Sequence, residues 1–409
     1  MGAQTSVKQN FSFRDLFIGL DIPLLLTIIA LLIFGLVVLY SASMPVGIQY
    51  GYHPIEDVLE QGRWALLGLF VAFFISIIDY RKLQPFIFYL LALAVFALIL
   101  VLLVGEERFG ATRTFLNGRV QPSEITKVIL ILYLAFWLKT KGEYLQKISL
   151  WALPLGSVLG FISVLIYMEP DFSALITIVI ITGILLFLAH IDWWQVIIIA
   201  LIGTGMFALV IRFTGTGAIR WEQFRNGWRD PGEAISQVQR TFESIVNGGI
   251  FGVGIGQGQV KFTGLEVGQT DTIFTIIAEE LGLIGCLIVL ALFTMLLWRG
   301  IKISLASSDL SGQLIAAGIT FWIVAEAFIN IASLINLIPI GGNTLPFFSK
   351  GGSSLISIMT GLGFVLSVSR VNQVSKIKER SSNSAVVDMR WRDRGRSISR
   401  ARSSSSTHR

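Results

Sequence analysis

Long apolar runs recur at regular intervals along this chain, each near the ~20 residues that a helix needs to cross the hydrocarbon core of a bilayer. The pattern predicts spans at Ile22–Tyr40, Trp64–Ile78, Pro85–Val104, Glu124–Leu138, Trp151–Met168, Phe172–Ala189, Trp193–Phe213, Thr272–Trp298, Ser311–Ile338 and Leu355–Val368. The division at Glu169-Pro170-Asp171 follows from two rules. Proline does not sit comfortably inside a continuous helix, and two carboxylates would be costly at mid-membrane. The expected fold class is an all-α membrane protein of about ten transmembrane helices.

The polar segments between the runs set orientation and domains. Lys8, Arg14, Arg81, Lys82, Lys139, Lys141, Lys147, Arg299 and Lys302 fall on one side under this count, as does the tail after Arg370. Lys and Arg collect in short cytoplasmic loops, so that side is the cytoplasm and both termini lie there. The loop over 105–123 breaks the rule with Arg108, Arg113 and Arg119. Residues 1–21 form an N-terminal cytoplasmic segment, 22–369 the membrane domain and 370–409 a basic, Ser- and Arg-rich tail expected to be disordered. That tail either meets anionic lipid or a cytoplasmic partner, or simply fixes topology. Residues 214–270 form one long external loop, and loops of that length are often functional.

Composition excludes a soluble domain. Of 409 residues, 54% are hydrophobic and only 14% charged, with a mean hydropathy of +0.73. The single cysteine, Cys286, forms no intrachain disulfide, and His53, His190 and His408 are too scattered for a metal cluster. The first run is long enough to be an anchor rather than a cleaved signal. Nothing points to a nucleic-acid partner.

In such a chain the informative residues are ionisable groups near or within spans. Four clusters map to the external face. The first joins Arg113 to Gln121-Pro122-Ser123-Glu124 and Lys127, where Glu124 and Lys127 can pair on one helical face. Its plainer reading is a structural ion pair with Ser123 and Glu124 as cap and first-turn acid. The second is Glu169-Pro170-Asp171, in which Asp171 is either a helix cap or a site residue. The third runs from Thr270 to Gly282. Asp271, at the outer interface, is a candidate base or a helix N-cap, while Glu279 and Glu280 lie two turns deeper, where at least one should face the protein interior or a wet cavity. The fourth, Pro339–Leu355, is a re-entrant segment whose Lys350, Ser353 and Ser354 line a polar cavity, or else a connecting turn. The stretch Gly248–Gly256 lacks the Lys-Ser/Thr of a phosphate loop and reads as a tight, glycine-shaped loop. Acids among Arg113, Arg119, Arg220, Arg225, Arg229, Arg240 and Lys350 suit an anionic headgroup on a lipid tail.

These segments resemble the signature segments of the SEDS family, the group containing FtsW, RodA and SpoVE. The carriers are Gly110-Ala111 with Arg113, QPSEITK at Gln121–Lys127, PDF at Pro170–Phe172, Gln237, GGIFGVGIGQG at Gly248–Gly258, TDTIFTIIAEELG at Thr270–Gly282, Asn330 and LPFFSKGGSS at Leu345–Ser354. The similarity runs from Asp21 to about Ser369. It departs at Glu169 for Gln, Ser173-Ala174 for Gly-Thr, Arg240 for a second Gln, Thr272 for Phe and Lys350 for Tyr. Tyr40-Ser41-Ala42-Ser43, Phe347-Phe348 and the basic tail lean towards the division branch.

The resemblance implies a multi-pass protein of the cytoplasmic (inner) membrane that polymerises lipid II into glycan strands at its outer face. Asp271 matches the essential aspartate and would act as base in an inverting glycosyl transfer. Glu124 and Lys127 match the charged pair near the catalytic cavity, and Arg113 the base before it. Asp171, Gln237, Lys350, Ser353 and Ser354 are expected at the substrate or cavity, with Glu279, Glu280 and Asn330 supporting. Arg113, Lys127, Lys350 or a divalent cation (Mg or Mn) would neutralise the departing pyrophosphate, although no metal site is legible. The implied partners are a class B penicillin-binding protein, other divisome or elongasome proteins and membrane lipids. The rival readings are a lipid II flippase and a noncatalytic scaffold for a transpeptidase.

Overall fold

The computed structural model describes residues 19–108, 111–115, 120–141, 148–189, 191–195, 197–198, 201, 203, 205, 215–263 and 270–376. Helix α1 (Ile22–Ala42) opens at Asp21, whose carboxylate accepts the Leu24 N–H at 2.9 Å. A short α2 (Met44–Tyr50) ends at Gly51 in the left-handed region and leads to α3 (Ile55–Ile77). Helix α3 begins nine residues before the predicted Trp64, because its first turns carry Glu56, Asp57, Glu60 and Gln61, which an apolar criterion passes over.

A 3-10 turn (Tyr80–Phe86) leads into α4 (Ile87–Val104). Between α4 and α5 (Pro122–Thr140) the loop expected over 105–123 carries a small antiparallel hairpin, β1 (Glu106–Arg108) and β2 (Ala111–Thr114). Helices α6 (Ile148–Met168) and α7 (Phe172–Leu188) are separated at Glu169-Pro170-Asp171, where the proline rule divides them. The predicted span Trp193–Phe213 falls largely outside the described residues.

The long loop is ordered into α8 (Gly215–Arg229), a 3-10 turn (Pro231–Glu233), α9 (Ser236–Gly248) and a further 3-10 turn (Val260–Phe262). Both helices are polar enough to escape a search for apolar runs. The predicted span Thr272–Trp298 is in fact two helices, α10 (Ile273–Glu280) and α11 (Gly282–Leu305). The chain then forms α12 (Leu310–Leu334) and α13 (Gly352–Lys376). Helix α13 extends beyond the expected Val368, and residues 377–409 lie outside the described set.

Among the described residues seven helices are long and apolar enough to cross a membrane, which makes this a multi-pass membrane protein. Helix α5 misses that standard because it carries Glu124, Lys127 and Lys139, and α7 because it has 17 residues. Burial shows where the core lies. The apolar windows of α12 and α13 are 78% and 72% buried, against 22% for α3. Trp322, Phe293 and Phe348 fill the centre, with Phe348 edge-on to Phe34 at 5.4 Å.

Ion pairs fasten one end of the bundle. Arg299 of α11 pairs with Asp21, and Asp309 accepts from Lys139 at 2.8 Å and lies 3.8 Å from Arg81. This is the end that gathers the short-loop Lys and Arg residues, and the four candidate clusters lie at the other.

Candidate functional site

The break between α10 and α11 is built by glycine. Gly282 has φ +63°, and a Cβ there would collide with the Gly252 backbone nitrogen. The interrupted helix leaves carbonyls and N–H groups without helical partners, and the Gly248–Gly258 loop supplies them. Val253 and Gly254 donate to the carbonyls of Glu279 and Glu280 at 3.1 and 3.0 Å. Leu283 and Ile284 donate to the carbonyls of Gly249 and Ile250 at 2.9 and 3.2 Å. A glycine loop thus continues the hydrogen bonding that the helix gives up.

The side chains of Glu279 and Glu280 complete this graft. Expected two turns deep in a continuous span, they instead end an eight-residue helix at the break. Glu279 accepts from the Gln259 and Val260 N–H groups at 3.0 and 3.1 Å. Glu280 accepts from the Gly256 N–H at 3.0 Å, from Ser41 Oγ at 2.5 Å and from Lys261 Nζ at 2.7 Å. Lys261 also donates to the Gly256 carbonyl at 3.0 Å. Two buried acids and a buried lysine therefore clamp the loop between α1 and α10.

The same end of the bundle joins the remaining clusters. Asp171 caps α7 through Oδ1, which accepts the Ala174 N–H at 3.1 Å and the Ser173 hydroxyl at 2.8 Å. Its Oδ2 accepts from Gln121 Nε2 at 2.8 Å and Ser123 Oγ at 3.1 Å, tying α7 to the start of α5. The Gln121 N–H in turn donates to Ser353 Oγ at 3.2 Å, which reaches the first turn of α13, where Ser354 also stands. Gln237 accepts the Thr241 hydroxyl at its carbonyl, and Thr241 meets Thr275 Oγ1 at 2.7 Å, docking α9 on α10.

Glu124, Lys127 and Glu326 form a buried triad. Lys127 Nζ donates to Glu124 Oε1 at 2.9 Å and to Glu326, and lies 5.2 Å from the centre of the Trp322 ring. One cation between two carboxylates leaves the ionised triad a charge of minus one. Glu124 Oε2 is buried with no hydrogen-bond partner among the described residues. A buried acceptor left open is costly, which marks that oxygen as the place for an incoming donor. Sequence reading missed Glu326, although a lone carboxylate inside an apolar 25-residue helix is itself a signal.

Asp271 is half-buried just ahead of α10. The residue flanking α10 is Thr272, which makes no side-chain cap bond. Its backbone is held from both sides. Asn330 Nδ2 donates to the Asp271 carbonyl at 2.8 Å and to the Asn343 carbonyl at 2.6 Å, and Ser349 Oγ donates to the Thr270 carbonyl at 2.6 Å. Gly342 lies beside the carboxylate, where a Cβ would stand at an ordinary 3.5 Å from Asp271 Oδ2, and its φ of +74° is the backbone reason for glycine there.

Lys350, expected among the anion ligands, is engaged by α3. Its ammonium donates to Asp57 Oδ1 at 2.6 Å and lies 3.8 Å from Glu60, while Gln61 bonds the Ser349 carbonyl and the Gly351 N–H. Arg113 lies on β2, and its side chain falls outside the description, as does Arg119 altogether. Among the described residues no three His, Cys, Asp or Glu side chains group as a metal site.

The model of the FtsW/RodA/SpoVE group, described as cell cycle proteins, matches residues 23–374. The chain belongs to this family. It is 34% identical over 361 residues to stage V sporulation protein E of Bacillus subtilis (strain 168), covering 86% of this chain and 98% of that one. It is 32% identical over 353 residues to the probable peptidoglycan glycosyltransferase FtsW of Geobacter sulfurreducens (strain ATCC 51573 / DSM 12127 / PCA), covering 85% and 95%. Among solved structures, a chain of a peptidoglycan synthase complex that coordinates polymerization and crosslinking aligns with a TM-score of 0.71 at 27% identity, over 86% of this chain and 98% of that one. The rod shape determining protein RodA of Thermus thermophilus aligns at 0.63 and 26% identity, over 87% and 98%. The FtsW/RodA/SpoVE fold therefore extends over nearly all of the described helices.

Proposed function

We propose that this chain is a peptidoglycan glycosyltransferase that polymerises lipid II at the outer face of the cytoplasmic membrane, in septal wall synthesis. The observation that carries the reading is the fixing of Asp271. A half-buried carboxylate is presented by a backbone pinned through Asn330 and Ser349, in a family whose relatives bear this activity. The reaction is an inverting displacement. The 4-hydroxyl of the acceptor sugar attacks the anomeric carbon of the donor, and the bond from that carbon to the pyrophosphate oxygen breaks. Undecaprenyl pyrophosphate leaves with the bonding electrons, and Asp271 takes the hydroxyl proton.

Lys127 and Lys350 are each matched to carboxylates, so they are poorly placed to neutralise the leaving group. That task falls to Arg113 and to the α13 N-terminus with Ser353 and Ser354, where helical N–H groups favour an anion. The open oxygen of Glu124 is assigned to a sugar hydroxyl or amide N–H. Positioned by its neighbours, a general base contributes about 10²–10⁴-fold.

A class B penicillin-binding protein is the proposed partner, because a similar chain sits in a complex that couples polymerization to crosslinking. The test supplies labelled lipid II to purified protein with and without that partner, comparing wild type with Asp271→Asn after both are shown to be folded. Polymer from wild type alone supports the assignment. Equal polymer from both sinks Asp271 as the base, and none from either, with the partner present, favours a flippase or scaffold.

A further inference from the structure

The opposite end of the bundle carries a groove that the proposed reaction does not use. Between the 3-10 turn before α4 and the end of α5 lies a cavity of about 580 Å³. Its rim is polar and basic, with Arg81, Gln84, Thr140 and Lys141. Its floor is apolar and aromatic, with Ile87, Phe88, Tyr133, Phe136 and Trp137. Phe88 packs edge-on against Tyr133 at 5.8 Å, which holds the two helices apart at that level.

A second trough of about 370 Å³ begins at the same Phe88 and runs along α4 and α6, lined by Leu91, Ala92, Val95, Val158 and Phe161. From Ile87 to Val95 α4 rises by about 12 Å at ~1.5 Å per residue. That is most of one leaflet, half of a hydrocarbon core roughly 30 Å thick. A basic, hydrogen-bonding mouth at the end of the bundle and an apolar trough along α4 thus meet at Phe88.

Charge complementarity selects the occupant. Among the described residues of this region Arg81, Lys82, Lys139 and Lys141 outnumber Asp79 and Asp309, with Lys141 also in contact with the protein. Asp309 is already satisfied by Lys139 at 2.8 Å and by Ser311 and Tyr80. Arg81 lies 3.8 Å from Asp309 with its side chain 39% exposed, so the guanidinium keeps a face towards the cavity mouth. Basic pockets between helices at a cytoplasmic end are suited to anionic lipid headgroups.

We infer that this groove binds one anionic glycerophospholipid, with its phosphate at Arg81 and Lys141, its glycerol oxygens at Gln84 and Thr140, and an acyl chain running past Phe88 into the α4–α6 trough. The lipid fills a space that the described side chains leave open and ties the 3-10 turn to α5.

Native mass spectrometry of the full chain in detergent tests this, with dioleoyl phosphatidylglycerol and dioleoyl phosphatidylcholine offered in turn. Wild type is expected to retain phosphatidylglycerol in clear preference. Lys141→Gln, which leaves Lys139, Ser311 and Tyr80 on Asp309, is expected to weaken phosphatidylglycerol binding roughly fivefold, as is Arg81→Gln. Ala92→Trp, which obstructs the trough, is expected to weaken both lipids. Equal retention of the two lipids by wild type overturns the inference, as does unchanged binding in the folded Lys141→Gln variant. Displacement of the lipid by glycerol 3-phosphate at equal concentration also overturns it, because the site would then hold a free phosphate rather than a lipid.

Discussion

Glu326 and Asn330 stand one helical turn apart on α12, the first accepting from Lys127 and the second donating to the Asp271 carbonyl. Residues four apart share a helical face. The same face, one turn earlier, carries Trp322, whose ring lies beside the Lys127 ammonium. One buried helix therefore sets both the charged triad of α5 and the backbone that presents Asp271. Moving α12 would disturb both together.

The triad makes an asymmetric prediction. Lys127→Met leaves two buried carboxylates without their cation, and breaking a buried pair in this way costs about 3–5 kcal/mol. Glu326→Gln leaves one cation with one carboxylate, a balanced pair. Thermal unfolding in detergent is expected to show a large loss for Lys127→Met and little change for Glu326→Gln. Adding Glu326→Gln to Lys127→Met is expected to recover part of the loss. Equal losses for the two single variants would contradict the charge argument.

Gly282 offers a backbone test. Its φ of +63° disfavours any side chain, and a Cβ would meet the Gly252 nitrogen. Gly282→Ala is expected to destabilise by more than the roughly 1 kcal/mol of left-handed strain alone, because the loop must also move away. Hydrogen exchange should rise selectively at Val253, Gly254, Leu283 and Ile284, whose N–H groups bridge the break. Uniform exchange across the chain would instead mean global unfolding.

Which of these features was readable beforehand follows from their physics. The spans, the Glu169-Pro170-Asp171 division and the candidate clusters are local signals, and each lies in a few consecutive residues. The break at Gly282 was hidden because the apolar run continues straight through it. Helices α8 and α9 were hidden because they have no apolar run at all. The partners Glu326 and Asp57 were missed for another reason: Lys127 and Lys350 find them 199 and 293 residues away in sequence. Charge pairing of that kind needs the fold before it can be seen.

Asp309 predicts an acid limit at the basic end. Burial raises its pKa, but the Lys139 and Ser311 hydrogen bonds and the charges of Lys139 and Arg81 outweigh it, so the carboxyl ionises below its ordinary value. A depressed folded pKa stabilises above the unfolded value of about 3.9. That contribution is lost as pH falls through the lower folded value. The melting temperature of wild type should therefore fall as the pH drops below about 4, and Asp309→Asn should be less stable at neutral pH yet show a shallower fall. Parallel pH profiles for the two proteins would remove Asp309 as the source.

Asn330 separates positioning from chemistry. Its amide donates to the Asp271 carbonyl at 2.8 Å and the Asn343 carbonyl at 2.6 Å, so under the proposed reaction it positions Asp271 without touching substrate. Asn330→Ala removes both bonds and leaves the Asp271 carboxylate intact. Misplacement of a catalytic group by about 1 Å can reduce rate ~10²-fold, so kcat for glycan polymerisation is expected to fall by roughly that factor while KM for lipid II changes little. The pH profile of the residual activity should keep its shape, because the titrating group is unchanged. Asn330→Asp is expected to do worse than Asn330→Ala, since it brings a carboxylate against two carbonyl oxygens that need a donor. A rise in KM with kcat intact would place Asn330 at the substrate instead of behind Asp271.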